Sequence, residues 1–232
     1  IYAVKLLKGK GRIVEISGLE GSSPAKERHK GFMEEISKAP EITIAKSLSG
    51  EWEVAEREKV MKNFLATNEP FDLVYAHNDV MALGAYNACI QKFNRKNAFF
   101  IGVDGLPGAG CGIEAVMDRK LDATMLYPTG GSLAITLAWD LLNDKPVKKE
   151  NILNTLVIDS TNVRALKFQT DEILNLHNRI VNSRKILDEQ VKKYLSQRFW
   201  LIVALSSLFL VIVLIILLFR GFRNKAKANL KL

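Results

Sequence analysis

Short apolar runs alternate with amphipathic stretches through the first 160 residues of this 232-residue chain. Runs rich in β-branched and aromatic residues, which are typical of strands, lie at residues 12–17, 42–45, 72–76, 98–103, 123–127 and 154–158. Apolar positions at helical spacing predict a helix end at residues 1–7, a helix ending at 36, and helices at 52–66, 79–93, 112–119 and 131–142. Strands that alternate with helices are joined by crossovers, so the predicted fold class is α/β, with a parallel sheet covered on both faces.

The most apolar part of the chain is residues 199–219. These 21 residues carry no charge, and Ser206 and Ser207 are their only hydroxyl-bearing side chains. A helix of this length spans about 31 Å, which matches the hydrocarbon thickness of a bilayer. Phe199 and Trp200 at one end, and Arg220 at the other, are typical interfacial anchors. The sequence therefore predicts a transmembrane helix at 199–219, followed by a basic tail at 220–232.

Residues 161–198 predict a helical stalk in front of that span. One row of apolar residues recurs every seven positions, whereas the offset row is mostly polar. The first row is Ile173, Ile180, Leu187 and Tyr194, and the offset row is Leu176, Ser183 and Gln190. Such a seam is typical of a coiled coil and favours a homodimer formed through the stalk. The alternative is a single helix that packs on its own domain.

Charge divides unevenly between these segments. Residues 1–160 hold 20 Lys and Arg against 21 Asp and Glu, so the excess of +8 belongs to the stalk, the membrane flanks and the tail. The near-neutral globular part therefore argues against nucleic acid as a partner. Five basic residues lie within fifteen positions before the span and five follow it, so the charge rule does not give its orientation.

Polar and aromatic residues recur directly after the predicted strands. They lie at residues 20–28, 47–52, 77–79, 104–105 and 127–129. Ligands of open parallel sheets bind beyond the carboxyl ends of the strands, so these positions predict a cleft for a polar ligand.

Four stretches in this order resemble one known family. They are residues 25–32 (AKERHKGF), 77–85 (HNDVMALGA), 101–105 (IGVDG) and 120–124 (KLDAT). Together they are similar to type I periplasmic binding proteins, in particular the ribose- and galactose-type sugar-binding members. The resemblance covers residues 1–160, and it implies the second lobe of such a domain with most of the first lobe missing before Ile1.

The resemblance implies five ligand-binding residues: Arg28, Trp52, Asn78, Asp104 and Tyr127. Arg28, Asn78 and Asp104 would exchange hydrogen bonds with sugar hydroxyls, and Trp52 would stack on the sugar ring. Tyr127 stands where the family more often has an amide, and Val103 where it often has an aromatic residue, so the ligand stays open.

Each of these residues also has a purely structural interpretation. Arg28 could be a solvated charge. Trp52 could pack in the core or make a contact at a helix start, and Tyr127 could pack in the core or a loop. Asn78 or Asp79 could cap the following helix, with capping by Asp79 compatible with ligand contact by Asn78. Asp104 beside a glycine could form an ordinary turn.

Catalytic and metal-binding patterns are missing from the sequence. The three histidines and the cysteines Cys89 and Cys111 have no metal-ligand spacing, and no nucleophile elbow or phosphate-binding glycine loop is present. We therefore expect no catalytic site, no cofactor and no metal in this segment, and we interpret both cysteines as thiols outside any disulfide framework.

The arrangement predicts a receptor cut from a longer protein on both sides. The resemblance to periplasmic sugar-binding domains implies that residues 1–198 lie outside the cytoplasm, followed by a single pass through the inner membrane, with residues 220–232 inside. The expected function is sensing of a monosaccharide or small oligosaccharide by a two-component histidine kinase, either simple or hybrid, with the kinase beyond Leu232. The alternatives are a membrane-tethered binding protein of a sugar importer, and a chemoreceptor or cyclic-dinucleotide enzyme with the same outer domain.

Overall fold

The computed structural model describes residues 1–53, 56–93 and 98–229. They fall into two compact units, which divide between Asp171 and Glu172. The first unit holds the sheet and the helices that cover it, and the second begins within the last helix.

Within the described residues, the sheet of the first unit has six strands in the order β2-β1-β3-β4-β5-β6. The strands are β1 (Lys10–Ser17), β2 (Glu41–Ser49), β3 (Leu73–Ala76), β4 (Phe99–Asp104), β5 (Ala123–Leu126) and β6 (Val157–Asp159). Strands β1 to β5 pair in parallel, which confirms the predicted α/β class. Their carboxyl ends therefore meet at one edge of the sheet.

The helices follow the predicted order with shifted ends. They are α1 (Tyr2–Leu6), α2 (Ser23–Ile36), α3 (Glu56–Leu65), α4 (Asp79–Phe93), α5 (Gly112–Met117), α6 (Gly131–Leu142) and α7 (Val163–Asn229). A start of α3 at Trp52 is wrong, because Glu51 and Trp52 have φ of 55° and 62°, outside the right-handed helical region. α5 ends before the predicted residue 119 for the same reason, since Arg119 has φ of 57°.

The last strand corrects the prediction of an all-parallel sheet. β6 pairs antiparallel with β5 and begins at Val157 instead of residue 154. A parallel pair needs a crossover helix packed on the sheet, but α6 buries none of its residues. The chain after α6 therefore returns to the sheet edge in the opposite direction.

Buried side chains cover both faces of the sheet. Along β1, Val14 and Ile16 join the apolar cluster that includes α3 and α4, whereas Ile13 joins the cluster on the side of α1 and α2. This alternation is the period of two expected of a strand. Glu15 shares the Ile13 face, although it is charged and fully buried.

α7 begins inside the first unit and continues as the second unit. Val163 is buried in the core, and Lys167 Nζ donates to Glu114 Oε1 of α5 at 3.2 Å. In the second unit, the apolar side chains of the stalk row and of the 199–219 run are exposed. Within the described residues, one helix is long and apolar enough to cross a membrane.

Candidate functional site: a cleft at the carboxyl ends of the strands

Three of the five predicted ligand residues, Asp104, Trp52 and Tyr127, lie around the guanidinium group of a fourth, Arg28. Arg28 lies in the first two turns of α2. Ser22 precedes this helix, and Pro24 lies in its first turn, where proline is favoured. Its Nη2 donates to Asp104 Oδ1 at 3.0 Å, and its carbon Cζ lies 5.7 Å from the ring centre of Trp52 and 4.8 Å from that of Tyr127. Arg28 therefore lies in a carboxylate pair and against two aromatic rings at once.

The side chain of Arg28 is too enclosed for a freely solvated charge. It is 15% exposed, and its Nη1 donates to the backbone oxygen of His77 directly after β3. Its partner Asp104 is 30% exposed, so part of this carboxylate faces solvent. The guanidinium is therefore held at both nitrogens, while part of the Asp104 carboxylate stays exposed.

Trp52 and Tyr127 contribute apolar faces of different exposure. Trp52 is half-buried, packs partly against the core cluster, and has its ring directly over Gly18. A Cβ built on Gly18 would lie 1.9 Å from the indole, so only glycine leaves room for that ring. Tyr127 is 53% exposed, which contradicts the alternative that it packs in the core.

Asn78 caps α4, whereas Asp79 accepts a hydrogen bond from the turn after β4. Asn78 Oδ1 accepts a hydrogen bond from Met81 N at 2.8 Å, so Asn78 caps α4. Asp79 is buried, and its Oδ2 accepts from Gly105 N at 2.9 Å. Within the described residues, no donor hydrogen-bonds to Asp79 Oδ1. The interpretation of Asp79 as the cap is therefore wrong, and Asn78 is a cap whose amide nitrogen is not used in capping.

Asp79 supports the turn that presents Asp104. Asp104 has φ of 118°, a region that side chains other than glycine rarely adopt, and Gly105 follows with φ of 62°. Thr124 Oγ1 lies 3.1 Å from Gly105 N and is a second acceptor for it. Burial raises the pKa of Asp79 to about 7, against the hydrogen bonds of Thr124 and Gly105, which lower it. Burial also raises the pKa of Asp104, whereas the charge and hydrogen bond of Arg28 oppose that rise.

A buried polar cluster beneath the cleft escaped the sequence analysis. Glu15 accepts from His77 Nε2 at 3.1 Å, from Ser47 Oγ at 2.8 Å and from His29 Nδ1 at 2.9 Å. Burial alone would raise the pKa of Glu15, but the hydrogen bonds from its three partners hold it below the ordinary range. A glutamate in the middle of an otherwise apolar strand was the signal that could have found it.

The cleft offers fixed hydrogen-bonding groups and aromatic faces, the combination that recognises a polyhydroxyl ligand. Within the described ranges, no group of three or more His, Cys, Asp or Glu side chains is arranged to hold a metal ion. Cys111 lies at the start of α5, and burial raises the pKa of its thiol.

Comparison with known proteins assigns this architecture. Residues 2–146 match the family model described as periplasmic binding protein domain. The chain is 32% identical over 160 residues to the ribose import binding protein of Salmonella typhimurium, covering 68% of this chain and 51% of that protein. It is 34% identical over 130 residues to a galactofuranose-binding protein of Escherichia coli, covering 53% of this chain and 40% of that one. The chain thus spans about half the length of the curated relatives it matches.

Two solved structures extend the comparison. One is the fructose-binding periplasmic domain of a hybrid two-component system, with 46% identity and a TM-score of 0.73 over 77% of this chain and 60% of that one. The other is the periplasmic component of the arabinose transporter of Shewanella sp. ANA-3, with 27% identity and a TM-score of 0.65 over 75% of this chain and 60% of that one. The family model, the similar solved structures and the mostly parallel α/β sheet agree, and the chain belongs to the type I periplasmic binding proteins.

Proposed function

We propose that the first unit binds a monosaccharide or small oligosaccharide, and that α7 transmits this binding across the inner membrane to a cytoplasmic histidine kinase. The observation that carries the proposal is Arg28, held by Asp104 and lying against the rings of Trp52 and Tyr127. Relatives of this chain include proteins described as binding ribose, galactofuranose and fructose, which supports a sugar as the ligand.

Five residues make the proposed contacts. Arg28 donates to a ring oxygen or hydroxyl from its fork, and Asp104 accepts from hydroxyl groups with its exposed edge. Trp52 and Tyr127 pack against the apolar faces of the sugar ring. Asn78 donates with its amide nitrogen, because its oxygen is used to cap α4.

Sensing is favoured over import by two features. The chain is 46% identical to a domain from a hybrid two-component system, whereas it is 32% and 34% identical to two ribose import proteins. The helix that begins in the core at Val163 also runs to Asn229 and includes the apolar run. In the proposed receptor, residues 1–198 lie outside the cytoplasm and residues 220–232 inside. A membrane-tethered binding protein of an importer is the second candidate, because importer proteins are also similar to this chain.

The stalk supplies the proposed pairing surface for a second copy. Ile180 and Leu187 are both more than half exposed on the seam of α7, so a parallel homodimer would bury them. Ligand closure of the outer domains would then change the arrangement of the paired stalk.

The test uses the full-length protein that contains this chain, reconstituted in nanodiscs. Calorimetry against ribose, fructose, arabinose, galactose and myo-inositol should give saturable binding to at least one of them. Arg28→Ala and Asp104→Ala should each weaken that binding more than tenfold, because each leaves its buried partner uncompensated.

Arg12→Ala is the matched control. Arg12 also pairs with a carboxylate, that of Glu69, but it lies near the start of β1, away from the cleft. The affinity of the Arg12→Ala variant for the sugar should equal that of the unmodified protein. Autophosphorylation that changes with the bound sugar supports a kinase sensor; binding without any such output, together with stimulated uptake by an importer, contradicts it.

A further inference from the structure

The cluster beneath the cleft contains two fully buried polar side chains that no ligand can reach. We propose that Glu15 and His77 are positioning residues, which fix the places of Arg28 and Trp52 in the sugar site; this rests on the proposed function for the identity of the ligand. Both side chains have an exposed fraction of 0%. Their effect on binding must therefore act through the residues that they touch.

Hydrogen bonding assigns the protonation of the His77 ring. Gly18 N donates to His77 Nδ1 at 3.3 Å, so Nδ1 carries no proton. The proton is on Nε2, which donates to Glu15 Oε1 at 3.1 Å. A carboxylate that accepts from one ring nitrogen fixes the tautomer and orientation of a histidine and prepares the other nitrogen as an acceptor. Glu15 thus determines what His77 can do at Gly18.

The hydrogen bond from Gly18 to His77 also affects the position of Trp52, which lies on Gly18. The ring of Trp52 lies directly on Gly18, closer than any side chain at that position would allow. Holding Gly18 N on the His77 ring therefore fixes the surface on which the indole rests. If Nδ1 were protonated or absent, the buried Gly18 N would lose its acceptor, and we expect the loop to move.

Two other contacts of the cluster affect the position of the Arg28 guanidinium. Arg28 donates to the backbone oxygen of His77, so the position of this residue sets one anchor of the fork. His29, the next residue on α2, donates from Nδ1 to both oxygens of Glu15 at 2.9 and 3.0 Å. Glu15 therefore fixes α2 directly beside Arg28 and fixes the loop that accepts from it.

Stability alone does not account for a glutamate at this place. Burying a carboxylate is unfavourable, and well-packed apolar residues often replace buried ionic groups without loss of stability. The strand neighbours Ile13 and Val14 meet the same burial with apolar side chains. Glu15 instead fixes the relative positions of four elements, because it lies on β1 and accepts hydrogen bonds from α2, from β2 and from the residue after β3.

The test compares variants that keep or remove one half of the His77 arrangement. His77→Asn keeps an acceptor near the Nδ1 position for Gly18, whereas His77→Gln keeps a donor near the Nε2 position for Glu15. Glu15→Gln keeps an oxygen that accepts from His77, and Glu15→Leu removes all acceptors at similar volume. Binding of the sugar found for the unmodified full-length protein is measured for each by calorimetry.

We expect Glu15→Leu to lose more than tenfold in affinity and Glu15→Gln to recover part of that loss. We expect His77→Asn to bind more tightly than His77→Gln, because it keeps the Gly18 contact. Leu121→Ala, a buried change near the opposite ends of the strands, is the control for lost stability and should leave the dissociation constant within twofold. Equal affinity of Glu15→Leu and the unmodified protein, or an equal loss in Leu121→Ala, overturns the inference.

A second readout needs no sugar. When every other tryptophan of the full-length protein is replaced by phenylalanine, including Trp139 and Trp200 of this chain, the emission of Trp52 reports its surroundings. Glu15→Leu should shift this emission to the red, and Glu15→Gln should shift it less. If the unmodified protein binds no sugar, the proposed function fails while this shift still supports the positioning role. An unchanged emission maximum overturns the positioning role, whatever sugar binds.

Discussion

The buried carboxyl group of Asp79 should make the first unit less stable as the pH rises from the ordinary carboxyl pKa towards neutrality. Its pKa is raised from 3.8 to about 7, with burial as the largest cause. Between these two values the folded protein keeps a proton that the unfolded chain releases, so the free energy of unfolding falls with increasing pH. The whole shift corresponds to about 4 kcal/mol, at 1.36 kcal/mol per pKa unit.

The local structure supports that direction. Oδ2 accepts from Gly105 N, but within the described residues Oδ1 has no hydrogen-bonding partner, so the ionised form is poorly solvated. Asp79 also lies in the first turn of α4, where the helix dipole favours a negative charge. That effect is about 0.3–1 kcal/mol, too small to cancel the cost of burial.

Asp79→Asn removes the titration without changing the shape of the side chain. Glycines at 102 and 112 line the carboxyl group so closely that a Cβ on Gly112 would lie 2.1 Å from Oδ2, so only an isostere fits. The variant should therefore gain about 3 kcal/mol relative to the unmodified protein between pH 5 and 8, at about 1.4 kcal/mol per pH unit up to the folded pKa.

Urea unfolding followed by circular dichroism at fixed ionic strength measures this difference. Equal slopes against urea are required, so that the comparison reports stability alone. Other titrating groups are common to both proteins and cancel in the difference. The reasoning would be refuted if the difference in the free energy of unfolding between Asp79→Asn and the unmodified protein stayed constant from pH 5 to 8. The ionisation of Asp79 in the folded protein relative to the unfolded chain would then not change in this range.

Glu15 should have the opposite dependence on pH. Its folded pKa is lowered, so its stabilisation is complete above its ordinary value of 4.5 and is lost as the pH falls through the folded value. Glu15→Gln should therefore flatten the acid limb of the unfolding profile below pH 4.5 and leave the neutral region unchanged. A flattened neutral region with an intact acid limb would contradict this assignment.

Three further changes test the cleft and the stalk. Gly18→Ala should displace the ring of Trp52 and lower the affinity for sugar more than tenfold, as calorimetry would measure. Gly31→Ala, on an exposed part of α2 with nothing within 4 Å, should leave affinity unchanged and raise stability by about 0.5–1 kcal/mol in urea unfolding. In the full-length protein, Leu187→Cys should form a disulfide between two copies under mild oxidation, whereas Lys185→Cys on another face should not; equal crosslinking of both would argue against the seam.

The regular part of the fold could be predicted from the sequence, because it follows from local periodicity. The apolar strands and the spacing of the helices predicted six parallel strands and the α/β class, and the structure confirms the class and the parallel pairing of five of these strands. The direction of β6 was not predictable in this way, since it depends on whether α6 packs on the sheet. The start of α3 likewise depended on the positive φ of Trp52, which no periodicity reveals.

The membership of the cleft was predictable for a similar reason. Parallel strands bring their carboxyl ends together whatever the details of packing, so Arg28 and Asp104 were expected at one edge of the sheet. In the structure, Arg28 Nη2 lies 3.0 Å from Asp104 Oδ1. The division of work between Asn78 and Asp79 was not predictable, because both residues are suited to capping and only the course of the chain decides which one reaches Met81 N.

The two buried carboxyl groups show why a sequence cannot assign charge. Glu15 and Asp79 are both acidic and both buried, yet their pKa values move in opposite directions. The difference is the number of donors: Glu15 receives hydrogen bonds from three side chains, whereas Asp79 has one oxygen without a partner among the described residues. Those donors come from positions 14, 32 and 62 residues away from Glu15, so only the folded chain determines which acid supports the cleft as an anion.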